Sequence, residues 1–131
     1  AWIMGSHPLN LTVRFLLEIA ALVAIGYWGF SQHAGIWRFI IGLGGPLIAA
    51  ALWGTFAVPD DPSRSGKAPV PVPGALRLVF ELSLFGFAAW ALYDAGSPVL
   101  ALILGIVTIA HYALSYDRVA WLLRQNGTKS T

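Results

Sequence analysis

Residues 11–30 read LTVRFLLEIAALVAIGYWGF, and Arg14 and Glu18 carry the only charges among them. An α-helix needs about 20 predominantly apolar residues to cross a bilayer. Three further stretches of the same character follow, at Ile36–Val58, Ala75–Tyr93 and Pro98–Tyr116. None shows the alternating polarity of a membrane β-strand. Backbone N–H and C=O groups in lipid must be satisfied within their own segment, so the four stretches are expected to be helices.

The rest of the composition agrees. Of 131 residues, 57% are hydrophobic and 11% are charged, against roughly 25% charge in an average soluble domain. So small a chain has little interior in which to hide that apolar surface from water, which argues against a soluble enzyme. The chain has no cysteine, which excludes disulfides, thiol nucleophiles and thiolate metal sites. A net charge of +2 gives no basic patch for phosphate backbones, so no nucleic-acid partner is expected. Residues 1–7, AWIMGSH, resemble an expression-tag remnant and are given no weight. Residues 8–124 are expected to form one transmembrane domain, followed by a polar tail over 125–131.

The connections alternate in length. Ser31–Gly35 and Asp94–Ser97 are short and should close two helical hairpins. Between them lies PDDPSRSGKAPVPVP, residues 59–73, whose alternate prolines predict an extended polyproline II segment. Asn10 is placed to cap the first helix, and Ser97-Pro98 to start the fourth. Arg14, Arg64, Lys67, Arg77, Arg118, Arg124 and Lys129 fall on one side of this arrangement and Arg38 alone on the other. The positive-inside rule makes the rich side cytoplasmic, with both termini and the proline-rich linker there.

The first and third stretches share a pattern. Arg14-Phe-Leu-Leu-Glu18 matches Arg77-Leu-Val-Phe-Glu81, each near the start of its helix. The fold expected is all-α: a four-transmembrane-helix bundle of two hairpins with the same orientation, related by a pseudo-twofold axis along the membrane normal. This is a parallel repeat. The order of the stretches, the two R-x-x-x-E sites, Leu52-Trp53-Gly54-Thr55-Phe56 and the proline-rich linker together resemble the YrdB-like family of small bacterial membrane proteins. The resemblance covers about residues 10–124. It implies a four-helix protein of the bacterial cytoplasmic membrane and, the family being one of unknown function, no activity or site residue.

Glu18 lies seven residues into the first stretch, about 10 Å at 1.5 Å per residue, and Glu81 is similarly placed in the third. His111 precedes Asp117 by six residues, which brings it to the same level. In the fourth helix Thr108, His111, Ser115 and Arg118 recur at spacings of three, four and three, forming one polar stripe. Arg14, Glu18, Arg77, Glu81, Thr108, His111, Ser115 and Arg118 are therefore the candidate ligand-binding residues, because ionisable groups inside a membrane face the bundle interior and mark functional sites by default. Arginine N-terminal to glutamate is the poorer helical orientation, so pairing across the pseudo-twofold is expected, Arg14 with Glu81 and Arg77 with Glu18. Carboxylate and imidazole together could hold a divalent ion, but the arginines repel it, and no metal or other cofactor is expected.

Two readings of the layer stay open: ion pairs that only fix packing, or a cytoplasm-facing cavity that binds or moves a proton, ion or small polar solute. An enzyme using Glu18 or Glu81 with His111 as acid and base lacks an evident nucleophile. Gly42, Gly44, Gly45, Ala49, Ala50 and Gly54 suit close helix packing, with Pro46 placed to bend the second helix. Partners expected are the lipid bilayer, a small polar ligand or ion, and a second copy or another membrane protein.

Overall fold

A computed structural model describes residues 8–59 and 69–125. Its long elements are all helices: α1 (Pro8–Ser31), α2 (Ile36–Thr55), α3 (Gly74–Asp94), α4 (Pro98–Leu114) and α5 (Tyr116–Leu123). Two short strands, β1 (Phe56–Ala57) and β2 (Val70–Pro71), pair in parallel. Three helices, α1, α2 and α3, are long and apolar enough to cross a membrane, and α4 with α5 makes a fourth if the bent pair is one span. The readings placed on residues 1–7, on Arg64 and Lys67 in the linker, and on residues 126–131 lie outside the described residues.

Several local expectations are corrected. Helix α1 begins at Pro8, where proline's missing N–H costs nothing. Asn10 thus lies inside the helix, and its side chain donates to Ser115 Oγ at 2.7 Å instead of capping. Ser97 makes no side-chain cap on α4; its backbone N–H donates to Leu92 O at 2.9 Å. Helix α2 stops at Thr55, short of Val58, because Phe56 and Ala57 pair with Val70 and Pro71. That pairing takes Val70–Pro71 out of the free polyproline segment. The fourth helix ends at Leu114, two residues short of Tyr116, and after a break at Ser115 a further helix, α5, leaves α4 at 72°.

Helix α1 packs between α2 and α3, and α3 between α1 and α4. Leu17, Ala21, Ala24 and Ile25 of α1 meet Ala49, Phe85, Ala88 and Leu104 in one buried cluster. The alanines let the helix axes approach closely. Tight turns carry the chain between neighbours, with Gly35 at φ 64° and Gly96 at φ 88°, left-handed conformations that glycine adopts without strain. At the far end of α1 and α3, Trp28 Nε1 donates to Asp94 Oδ2 at 2.8 Å, with Phe87 and Trp90 against the indole. His33, in the short turn after α1, is half-buried on Trp28 and within 2.9 Å of Gly29 O.

The outside is apolar. Ile36, Trp37, Phe39, Ile40, Leu43, Leu47 and Ile48 of α2 are all exposed. A patch of that size exceeds what soluble monomers present to water, and it matches what lipid requires.

The α1–α2 seam uses only one of the two small-residue rows. Gly42, Gly45 and Ala49 face α1, whereas Ala50 and Gly54 are exposed. A Cβ on Gly29 would come within 2.5 Å of Gly42 N, while one on Gly44 would meet nothing. Gly29→Ala is therefore expected to destabilise the fold by about 1–3 kcal/mol through overpacking, with Gly44→Ala close to neutral. Thermal unfolding in detergent separates the two, and equal effects would contradict this seam.

Candidate functional site

Position 81 is where the helices converge. The Glu81 side chain is fully buried. Its Oε1 accepts from Tyr112 Oη of α4 at 2.6 Å and from Arg118 Nη1 of α5 at 3.0 Å. Its Oε2 lies 2.8 Å from Arg14 Nη2 of α1, 2.7 Å from Arg77 Nε of α3 and 2.9 Å from Arg118 Nη2. Arg118 thus engages the carboxylate in a two-pronged fork, the strongest geometry for such a pair. Taking these charges out of water is costly, and only dense mutual satisfaction of this kind offsets the loss.

Each arginine is placed by its own element. Arg77 stands one helical turn before Glu81. Its Nη1 also donates to Trp53 O at 2.8 Å and Phe56 O at 2.6 Å, carbonyls at the end of α2 that no further helical turn satisfies. A cation at a helix C-terminus is also favoured by the helix dipole. The guanidiniums of Arg14 and Arg77 lie 5.0 and 4.5 Å from the centre of the Trp53 ring, close enough for cation–π attraction. Trp53 is therefore a packing residue beneath the cluster. Arg118 owes its position to the break at Ser115, which turns α5 back under α3. There Gly74 N donates to Gln125 O at 3.1 Å, and the Leu122 carbonyl sits where a side chain on Gly74 would be.

The two R-x-x-x-E sites are not equivalent. Arg14 reaches Glu81 as expected across the helices, and its Nε also donates to Glu18 Oε1 at 3.2 Å. The expected Arg77–Glu18 pair is not formed. Arg77 turns to its own Glu81 because the end of α2 holds its other edge. The Glu18 side chain keeps 26% exposure while that of Glu81 has none. Three arginines thus surround one fully buried carboxylate, and the second carboxylate stands at the margin.

The α4 stripe is buried along its length: Thr108, His111 and Ser115, with Arg118 beyond the break. Ser115 is taken by Asn10. Among the described residues three buried side-chain polar atoms have no hydrogen-bond partner: Arg14 Nη1, Thr108 Oγ1 and His111 Nδ1. Among the described residues no group of three or more His, Cys, Asp or Glu side chains could hold a metal ion. Tyr112, Trp53 and Asn10 belong to the cluster but escape the motif reading. A phenol next to His111 in an otherwise apolar helix is the signal that could have flagged the first.

The arrangement defines an all-helical, membrane-compatible protein with an arginine-rich polar core. A family described as "Protein of unknown function (DUF2568)" matches residues 12–109, a stretch containing Arg14, Glu18, Arg77, Glu81 and Thr108. The chain is 40% identical over 116 residues to "Uncharacterized protein YrdB" of Bacillus subtilis (strain 168), covering 88% of this chain and 94% of that protein. The chain belongs to this YrdB-like family of unknown function. No solved structure matches it.

Removing the central carboxylate leaves buried guanidiniums without their counter-charge, a loss of about 3–5 kcal/mol. Glu81→Ala should cost that much stability. Glu18→Gln should cost under about 1 kcal/mol, as for other partly exposed pairs. Unfolding midpoints of the purified variants provide the comparison, and comparable losses at 18 and 81 would refute the asymmetry.

Proposed function

We propose that this chain is a multi-pass protein of the bacterial cytoplasmic membrane whose arginine-rich layer binds a small anionic solute from the cytoplasmic side. The four spans are two parallel-repeat hairpins with both termini inside. Support for the binding reading comes above all from Arg14 Nη1, a buried cationic donor with no hydrogen-bond partner among the described residues. An unmet donor inside a low-dielectric layer is costly, and an arriving acceptor would satisfy it. Charge points the same way, since three arginines face one fully buried glutamate. A cation would be repelled there. Glu81 is saturated by its partners and acts as the fixed post that aims Arg14, which favours binding over a conducting path through the layer.

A second reading has its own support. The same saturation of Glu81 is what a purely structural or accessory subunit would need, with the exposed apolar faces holding a second copy or another membrane protein. Acetate, phosphate and chloride at constant ionic strength discriminate between the two. A bound anion raises stability by about 2.7 kcal/mol at roughly 100-fold above its Kd. The binding reading expects a saturable rise in unfolding temperature with at least one anion, abolished in Thr108→Val/His111→Leu. No rise with any anion gives the site to the structural reading.

Orientation is tested separately. The chain has no native cysteine, so single cysteines report cleanly. A membrane-impermeant maleimide added to intact cells should label Gln32→Cys and spare Arg124→Cys. The opposite pattern would invert the topology.

A further inference from the structure

Helices α1 and α4 do not close against each other along their length. Between them runs a groove of about 770 Å³, lined by Val13, Leu17 and Tyr27 of α1 and Leu100, Leu104 and Val107 of α4, among others. From Val13 to Tyr27 it follows fourteen residues of helix, about 21 Å at 1.5 Å per residue. Half of a ~30 Å hydrocarbon core is about 15 Å, so an occupant lying along it is a long, extended chain. The lining is almost wholly apolar.

In the orientation proposed above, the Val13 end of this groove is the cytoplasmic one and points toward the polar layer. The Asn10–Ser115 hydrogen bond sets the antiparallel register of α1 and α4. In that register Arg14 stands level with His111, Leu17 with Thr108 and Ala21 with Leu104, and all six are buried. Leu17 and Leu104 line the groove; one helical turn further along the same two stripes come Arg14 and Thr108, and His111 follows a turn beyond Thr108. These residues carry three buried side-chain atoms without a hydrogen-bond partner among the described residues, Arg14 Nη1, Thr108 Oγ1 and His111 Nδ1, and they continue the line of the groove without being part of its lining. The Nε and Nη2 edge of Arg14 is already committed to Glu18 and Glu81, and Nη1 is the corner left over.

We infer that the α1–α4 groove and this polar end together form a site for a long-chain carboxylate, its acyl chain along the groove and its head on Arg14, Thr108 and His111. The inference rests on the anion-binding reading and gives it a ligand class. One cationic donor with two further groups able to donate suits the two oxygens of a carboxylate. A phospholipid headgroup would have to carry its glycerol and second chain into a space closed by buried side chains. A short anion would leave the groove unused.

Binding of radiolabelled palmitate to the purified protein in phosphatidylcholine nanodiscs tests this, with unlabelled palmitate, hexadecanol, acetate and inorganic phosphate as competitors. Saturable binding is expected, displaced by palmitate, with hexadecanol at least tenfold weaker and acetate ineffective at equal concentration. Ala20→Trp, which fills the exposed groove wall, should weaken palmitate binding at least tenfold, and Val23→Trp provides a second groove variant should the first fail to fold. Thr108→Val/His111→Leu should weaken palmitate at least tenfold and leave hexadecanol unchanged. Hexadecanol competing as well as palmitate would overturn the inference by making the groove an ordinary lipid contact. Acetate or phosphate competing as well as palmitate would overturn it while preserving the small-anion reading, and the absence of saturable palmitate binding alongside an anion-induced stability rise would do the same. Absence of both would remove the two readings together.

Discussion

One carboxylate ties this protein together. Glu81 receives hydrogen bonds or ion pairs from α1, α3, α4 and α5, and through Arg77 it is coupled to the end of α2. Every helix therefore has a polar fastening to the same point. Between helices in lipid there is little hydrophobic driving force, because acyl chains are as apolar as leucine. Packing of small residues brings α1 close to α2 and α3, but close packing alone permits sliding. The directional bonds at Glu81 fix depth and rotation at once.

The cluster also explains why its members are so unequally exposed. Arg77 caps the carbonyls at the end of α2 and lies over Trp53, so it has no freedom to reach Glu18. Arg118 arrives from a helix that exists only because the fourth apolar stretch bends at Ser115. Glu81 takes both and leaves Glu18 with a single bond from Arg14. Arg14 is left with one guanidinium corner, Nη1, without a hydrogen bond among the described residues, and that corner underlies the proposed affinity for anions.

Much of the helical architecture was legible in the amino-acid order, since apolar runs of about 20 residues permit few alternatives. The hairpin turns and the candidate layer were legible too, because Arg14, Glu18, Arg77, Glu81 and the α4 stripe are conspicuous in apolar surroundings. What escaped was set by contacts distant in sequence. Asn10 looks like a cap until Ser115 is found beside it. Ser115 looks like one more polar position on a helix until the chain turns there. The pairing of Phe56–Ala57 with Val70–Pro71 shortens α2 through a partner across the linker, which no local pattern reveals. The matched R-x-x-x-E motifs suggested equal roles, whereas the end of α2 and the arrival of α5 decide which glutamate is enclosed.

The turn at Ser115 has a consequence for biogenesis. Synthesis proceeds from the N-terminus, so all the long apolar helices leave the ribosome before Arg118 does. Until then the enclosed glutamate has only Arg14, Arg77 and a phenol around it, and the start of α3 at Gly74 has nothing seated against it. A nascent chain interrupted just before Tyr116 would already hold the four long apolar helices, α1 to α4, and yet lack Arg118. Completion of this polar core therefore waits on residues translated after the long apolar helices, and it separates chains that have reached α5 from those that have not.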